Sequence, residues 1–208
     1  MKFFCYTLIS LLITSAVSRA QSPSTVSIKD GNIYISFTDG QLKQLTFNGT
    51  DSDVSLSKSK EFIVYLETIK GKSSAESSII LMDLISSQKK VLVKSSGLDG
   101  SKGSVISYAN SDRYPFPGLT NVMNPILSPD DHRIYFETTA WVTVNAVHFI
   151  HLPTMTIYFF HSGSLNKVNK DETVSLNITG IQKNKGRWYQ DWLFNKNGEA
   201  IMPLGRKE

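Results

Sequence analysis

Cysteine is nearly absent: the 208-residue chain holds one, Cys5, inside an apolar run at its N-terminus. No intrachain disulfide is therefore available, and buried apolar surface has to hold the fold, which a chain of this length can supply. Charge of one sign is also scarce. Lysine and arginine number 22 against 18 aspartates and glutamates, a net of +4. Without Lys2 and Arg19 of the N-terminal segment, 20 basic residues face 18 acidic ones. So small a surplus carries no electrostatic footprint for nucleic acid. Nucleophile and phosphate motifs are lacking as well. There is no Gly-x-Ser-x-Gly elbow, no His-Glu-x-x-His helix and no P-loop. The glycine-rich GLDGSKGS at 97–104 has the wrong spacing and no helical pattern beside it. These absences argue against an enzyme, and no catalytic residue, cofactor or metal site is expected.

What is present begins with a leader. Met1-Lys2 precedes an apolar stretch shorter than the roughly 20 residues that a bilayer span needs, and Ser18-Arg19-Ala20 ends it. Residues 1–20 read as a secretory signal peptide cleaved after Ala20. That leaves 21–208 as a single exported domain, with no stable membrane insertion after cleavage.

Beyond residue 20 no long helical period appears. Short runs rich in β-branched and aromatic residues recur instead, bounded by Gly, Ser, Asn, Asp and Pro. They cover 32–38, 41–47, 61–68, 78–84, 89–94, 133–139, 146–152, 156–160, 173–179, 187–194 and 199–204. Such density predicts an all-β protein of antiparallel hairpins.

The runs also repeat. TDSDVSLSKSKEFIVYLET (50–68) aligns with TNVMNPILSPDDHRIYFETTA (120–140): a polar lead-in, a Leu-Ser step, a polar turn, and a strand ending in Glu-Thr. A blurred third copy spans DETVSLNITG to IMPLG, and 32–50 supplies only an outer pair of strands. Four strand-like runs per unit is the pattern of propeller blades.

DGQLKQLTFNGTDSDVSLS with EFIVYL, and NPILSPDDHRIYFET, resemble the TolB-type repeat, related to the WD40-like class. The resemblance implies a small or incomplete β-propeller of three to four blades over 21–208. It also implies a periplasmic location and work done by protein–protein interaction. In that repeat a Ser-Pro-Asp-Gly turn opens the inner hairpin; here Asp131 stands where the glycine would be, and 57–60 read Ser-Lys-Ser-Lys.

The charged cluster Asp130-Asp131-His132-Arg133 is then a turn, because adjacent side chains diverge and cannot share one ion. His148 and His151 fall on opposite faces of one strand, and His161 ends the next. Trp188 and Trp192 share a face, with Tyr189 behind them; such pairs fill cores or stack on ligands. Two Asn-x-Thr sequons, at Asn48 and Asn177, matter only in a host that glycosylates exported proteins. The long loop at 95–119 interrupts the blade rhythm, and loops of that length are functional or disordered. Its Arg113, Tyr114 and Phe116 are the candidate partner-binding residues, interface types set among prolines; alternatively the two rings plug the open end of the arc.

Function is accordingly expected to be binding of another protein, as an envelope scaffold or accessory factor. An immunity-type inhibitor that plugs a toxin's active site with the 95–119 loop is the alternative. An enzyme with its site in the propeller funnel, near His148 or His161, is the second.

Overall fold

The structure, a computed structural model, describes residues 22–70, 75–95, 119–141, 144–182 and 186–205. Within them lie fifteen strands and no helix, arranged as four antiparallel meanders. The first sheet holds β1 (Pro23–Lys29), β2 (Asn32–Phe37) and β3 (Leu42–Gln44). The second holds β4 (Asp51–Leu56), β5 (Phe62–Lys70), β6 (Ala75–Asp83) and β7 (Lys89–Lys94). The third holds β8 (Met123–Leu127), β9 (Arg133–Trp141), β10 (Val144–His151) and β11 (Thr156–Ser162). The fourth holds β12 (Ser164–Val168), β13 (Val174–Gln182), β14 (Gly186–Phe194) and β15 (Ala200–Gly205).

Strands buried on both faces read as unbroken apolar runs, and β5 and β9 show why. Ile63 and Tyr65 pack toward the first sheet, while Val64 and Leu66 pack toward the third. In β9, Ile134 and Phe136 face the second sheet and Tyr135 faces the fourth. Three separate cores thus fill the three gaps between four stacked sheets.

The strand order is a small, incomplete β-propeller. Inner strands β4, β8 and β12 line the concave side: β4 lies against β1 and β8, and β8 against β12. Among the described residues no strand of the first sheet makes extended contact with the fourth, so the sheets form an open arc. The first sheet is the short one. Thr38 N donates to Ser22 O as Leu84 N does to Glu61 O and Leu152 N to His132 O. These equivalent bonds put β1 and β2 in the roles of β5 and β6. What the first sheet lacks is therefore the counterpart of β4.

At each end of the arc one strand turns a polar face outward, while Leu42 at the first end and Tyr189, Leu193 and Met202 at the other add apolar side chains to that face. Where β5 turns Ile63 and Tyr65 toward its preceding neighbour, β1 presents Thr25, Ser27 and Lys29. At the other end β13 presents Ser175, Asn177 and Thr179, with Asp191 opposite Asn177.

Two sequence expectations shift. The strands Asp51–Leu56, Met123–Leu127 and Ser164–Val168 were absent from the predicted runs, because each is short and broken by a register shift, the first and third are mostly polar, and the second holds a proline. The Glu-Thr pairs also differ by one residue in register. Glu67 lies opposite Asp51 toward the first sheet, whereas Glu137 lies opposite Met123 and contacts residues beside the fourth. A one-residue slip reverses every side chain, so the two glutamates serve different junctions.

Candidate functional site

The three hairpin turns that join each inner strand to its neighbour are built alike. Ser57, Ser128 and Asn169 each open one, their N–H donating to the carbonyls of Phe62, Arg133 and Thr173. Lys60, Asp131 and Glu172 close them at φ of 62°, 61° and 65°, a left-handed conformation in which Gly is the easiest residue. Hydroxyls complete the turns: Ser57 Oγ accepts from Glu61 N and Phe62 N, and Ser128 Oγ from Arg133 N.

These turns converge on a cavity of about 620 Å³ at the concave mouth of the arc. Leu56, Leu127 and Pro129 supply its apolar wall, and Lys58 and Lys170 stand on its rim. The two lysines occupy the same turn position as Pro129, one residue after the opening Ser or Asn. Neither forms an ion pair among the described residues. Asp131 is the carboxylate in this wall, and both its oxygens accept main-chain amides. Its Oδ1 accepts from Lys58 N at 2.8 Å and its Oδ2 from Ser59 N at 2.9 Å. Two ammonium groups against this one carboxylate leave the lining with a surplus of positive charge.

The turn reading of Asp130-Asp131-His132-Arg133 is thus correct, with one addition: Asp131 reaches across to the second sheet. Asp130 behaves locally. Burial pushes its carboxyl up, but bonds from Ser128 Oγ and His132 N outweigh that and hold it below the ordinary carboxylate value. Asp130, Asp131 and His132 do not converge, and no group of metal-binding geometry occurs among the described residues.

The histidines separate as expected. His148 is buried between the second and third sheets, stacked on Phe136 with centroids 5.4 Å apart. Its Nε2 lies 3.0 Å from Thr138 Oγ1, and its Nδ1 has no partner. Burial lowers its pKa to about 4, so it is a neutral core residue. His151 sits at the rim with Nδ1 2.9 Å from Thr154 Oγ1. His161 lies against Phe194, 4.7 Å between centroids, and lines an open cleft of about 260 Å³ with Trp188 and Trp192. The two tryptophans share a face, and Trp192 packs on the core while Tyr189 is exposed on the other side.

A second buried polar cluster is structural. Glu137 accepts from Asn124 Nδ2 at 2.9 Å and Asn145 Nδ2 at 2.7 Å, and Asn124 also donates to Leu165 O. The cluster ties the third sheet to the fourth. Both sequons are engaged: Asn48 Nδ2 donates to Asp51 and Glu67, and Asn177 Nδ2 to Asp191.

Arg113, Tyr114 and Phe116, the sequence candidates for partner binding, lie outside the described residues. The described residues on either side of that segment, Ser95 and Leu119, are buried. Sequence reasoning missed Lys58 and Lys170. Aligning the three turns on their opening Ser or Asn would have placed both lysines on one rim.

No protein-family model and no curated protein matches the sequence. Solved structures match in fold. A putative TolB from Agrobacterium tumefaciens aligns over 84% of this chain and 56% of its own, at 13% identity and a TM-score of 0.54. The β-propeller domain of the trilobed protease from Pyrococcus furiosus, described as having an open velcro topology, aligns over 85% and 49%, at 10% identity and 0.53. TolB from Acinetobacter baumannii aligns over 81% and 36%, at 16% identity and 0.50. The chain thus spans roughly a third to just over half of the length of these structures. Four consecutive meander sheets stacked in an arc, matched to these structures, establish a TolB-like β-propeller fold.

Proposed function

We propose that the chain is an exported, periplasmic binding protein that captures another protein at the concave mouth of its arc, as an envelope scaffold or accessory factor. The observation that carries this reading is the cavity into which three equivalent turns bring Lys58 and Lys170, both without an acidic partner. Unpaired ammonium groups over an apolar wall fit an acidic, partly apolar segment of a protein. The reading is binding, since the Asp131 carboxylate in the wall is held by two main-chain amides and His148 is buried elsewhere. The apolar stretch after Lys2, read from the sequence as a signal peptide, is what supports export, and among the described residues no helix is long and apolar enough to cross a membrane.

The test is capture from an envelope extract by the wild type and by a Lys58→Glu, Lys170→Glu double variant. The reading expects the variant to keep its melting temperature and lose the captured protein. Equal capture by both sinks it. The inhibitor reading rests on the 95–119 loop, and capture lost on deleting 97–118 with both lysines intact would favour it.

A further inference from the structure

Among the described residues the first sheet lacks a strand that each of the other sheets has, and on that side it presents an open backbone edge. Ile33 donates its N–H to Thr46 Oγ1 at 2.9 Å and accepts from Leu45 N at 2.8 Å, so its main-chain groups point away from β1. Ile28 lies directly opposite Ile33. In an antiparallel pair both partners turn the same way, either toward each other or apart. Ile28 therefore aims its N–H and C=O at the open edge, and Val26, two residues back, does the same. No described strand pairs with that edge. Ile28 is 41% exposed beside it. Edge strands are usually guarded by charge, and here Lys29 is the one charged residue of β1.

We propose that this edge accepts an extended segment donated by a protein partner, which becomes the missing inner strand of the first sheet. The inference rests on the binding role proposed above and names the element that the partner contributes. The second sheet shows what the guest must look like. The equivalent hydrogen bonds of Thr38 and Leu84 put Val26, Ile28 and Lys29 in the places of Val64, Leu66 and Glu67. In the second sheet those residues face Ser55, Ser52 and Asp51 of the inner strand. A guest in the same register sets small side chains opposite Val26 and Ile28 and an acidic one opposite Lys29. Main-chain bonds to Val26 and Ile28 supply affinity and the Lys29 pair fixes register, as in strand addition to other open sheets.

The probe is a fluorescein-labelled peptide Asp-Ser-Asp-Val-Ser-Leu, the sequence of residues 51–56, added to the chain as purified, its mass recorded. The proposal expects saturable polarisation and slowed hydrogen exchange at the Val26 and Ile28 amides, with Ser27 unchanged. Lys29→Glu should weaken binding by roughly fivefold. Replacing the peptide's first Asp by Asn should weaken binding to wild type but not to Lys29→Glu. Polarisation that does not saturate overturns the proposal. So does protection of both amides before peptide is added, whether it depends on residues 1–21 or on protein concentration, for then the chain's own N-terminal residues or a second copy fills the edge. Loss of peptide binding while capture still depends on Lys58 and Lys170 removes the strand proposal and leaves the cavity reading standing.

Discussion

The carboxylate of Asp131 accepts the main-chain amide of Ser59 at 2.9 Å across 72 positions of sequence. One side chain therefore locks the turn of the second sheet to that of the third. It does so from a left-handed backbone position that Asp and Asn tolerate better than most residues.

Removing that carboxylate should loosen the mouth of the arc. Asp131→Ala loses two charge-assisted bonds and keeps the unfavourable φ, for an expected destabilisation of about 1–3 kcal/mol. Asp131→Gly relaxes the backbone while losing the same bonds, so its loss should be smaller. Urea midpoints of the two variants against wild type measure the difference.

His148 should make the fold acid-sensitive. Burial lowers its pKa from 6.5 to about 4, so the unfolded chain takes up a proton that the folded chain refuses. Its contribution is fully present above pH 6.5 and is lost as pH falls toward 4, by a few kcal/mol in total. His148→Phe, which keeps the stack on Phe136, should flatten this limb. Denaturant midpoints at pH 7.5 and 5.0 for both proteins check it.

Tyr65 gives a prediction of the opposite sign. Its hydroxyl is buried without a partner, and burial, with Asp51 and Glu67 nearby, raises its pKa. An unpaired buried hydroxyl carries a desolvation penalty. Tyr65→Phe should leave stability unchanged or raise it by up to about 1 kcal/mol, read as a melting temperature equal to or above that of wild type.

Glu137 should behave as a junction and not as a catalytic acid. Glu137→Ala strands the amides of Asn124 and Asn145 between the third and fourth sheets, at an expected loss of about 2–4 kcal/mol. Glu67→Ala, at a more exposed position, should lose less than 1 kcal/mol. Equal losses would show that the one-residue register offset has no energetic meaning.

The outer strands were legible in the sequence because their chemistry is simple. FIVYL and RIYF are buried on both faces and read as apolar runs, and Lys89–Lys94 matches its predicted span. The inner strands were not, since Asp51–Leu56 and Ser164–Val168 carry polar residues and local bulges that destroy alternation. Pro23–Lys29 was missed for a related reason: its outward face is Thr25, Ser27 and Lys29, so half of it looks like a loop. The turn at Asp130 and Asp131 was read correctly as a turn. Its bond to Ser59 was invisible, because nothing in a single sequence says which turn lies beside which.

The end faces have a consequence for how copies of the arc meet. A stack of sheets with an apolar face at each end would be complementary to itself head to tail, and such contacts do not close; they propagate into filaments. Thr25, Ser27 and Lys29 interrupt one end, and Asn177 and Thr179 the other, but Leu42 stands 63% exposed on the first and Tyr189 and Met202 stand 52% and 50% exposed on the second. The ends are thus mixed, and the polar residues of β1 and β13 dilute the apolar surface that head-to-tail addition would use.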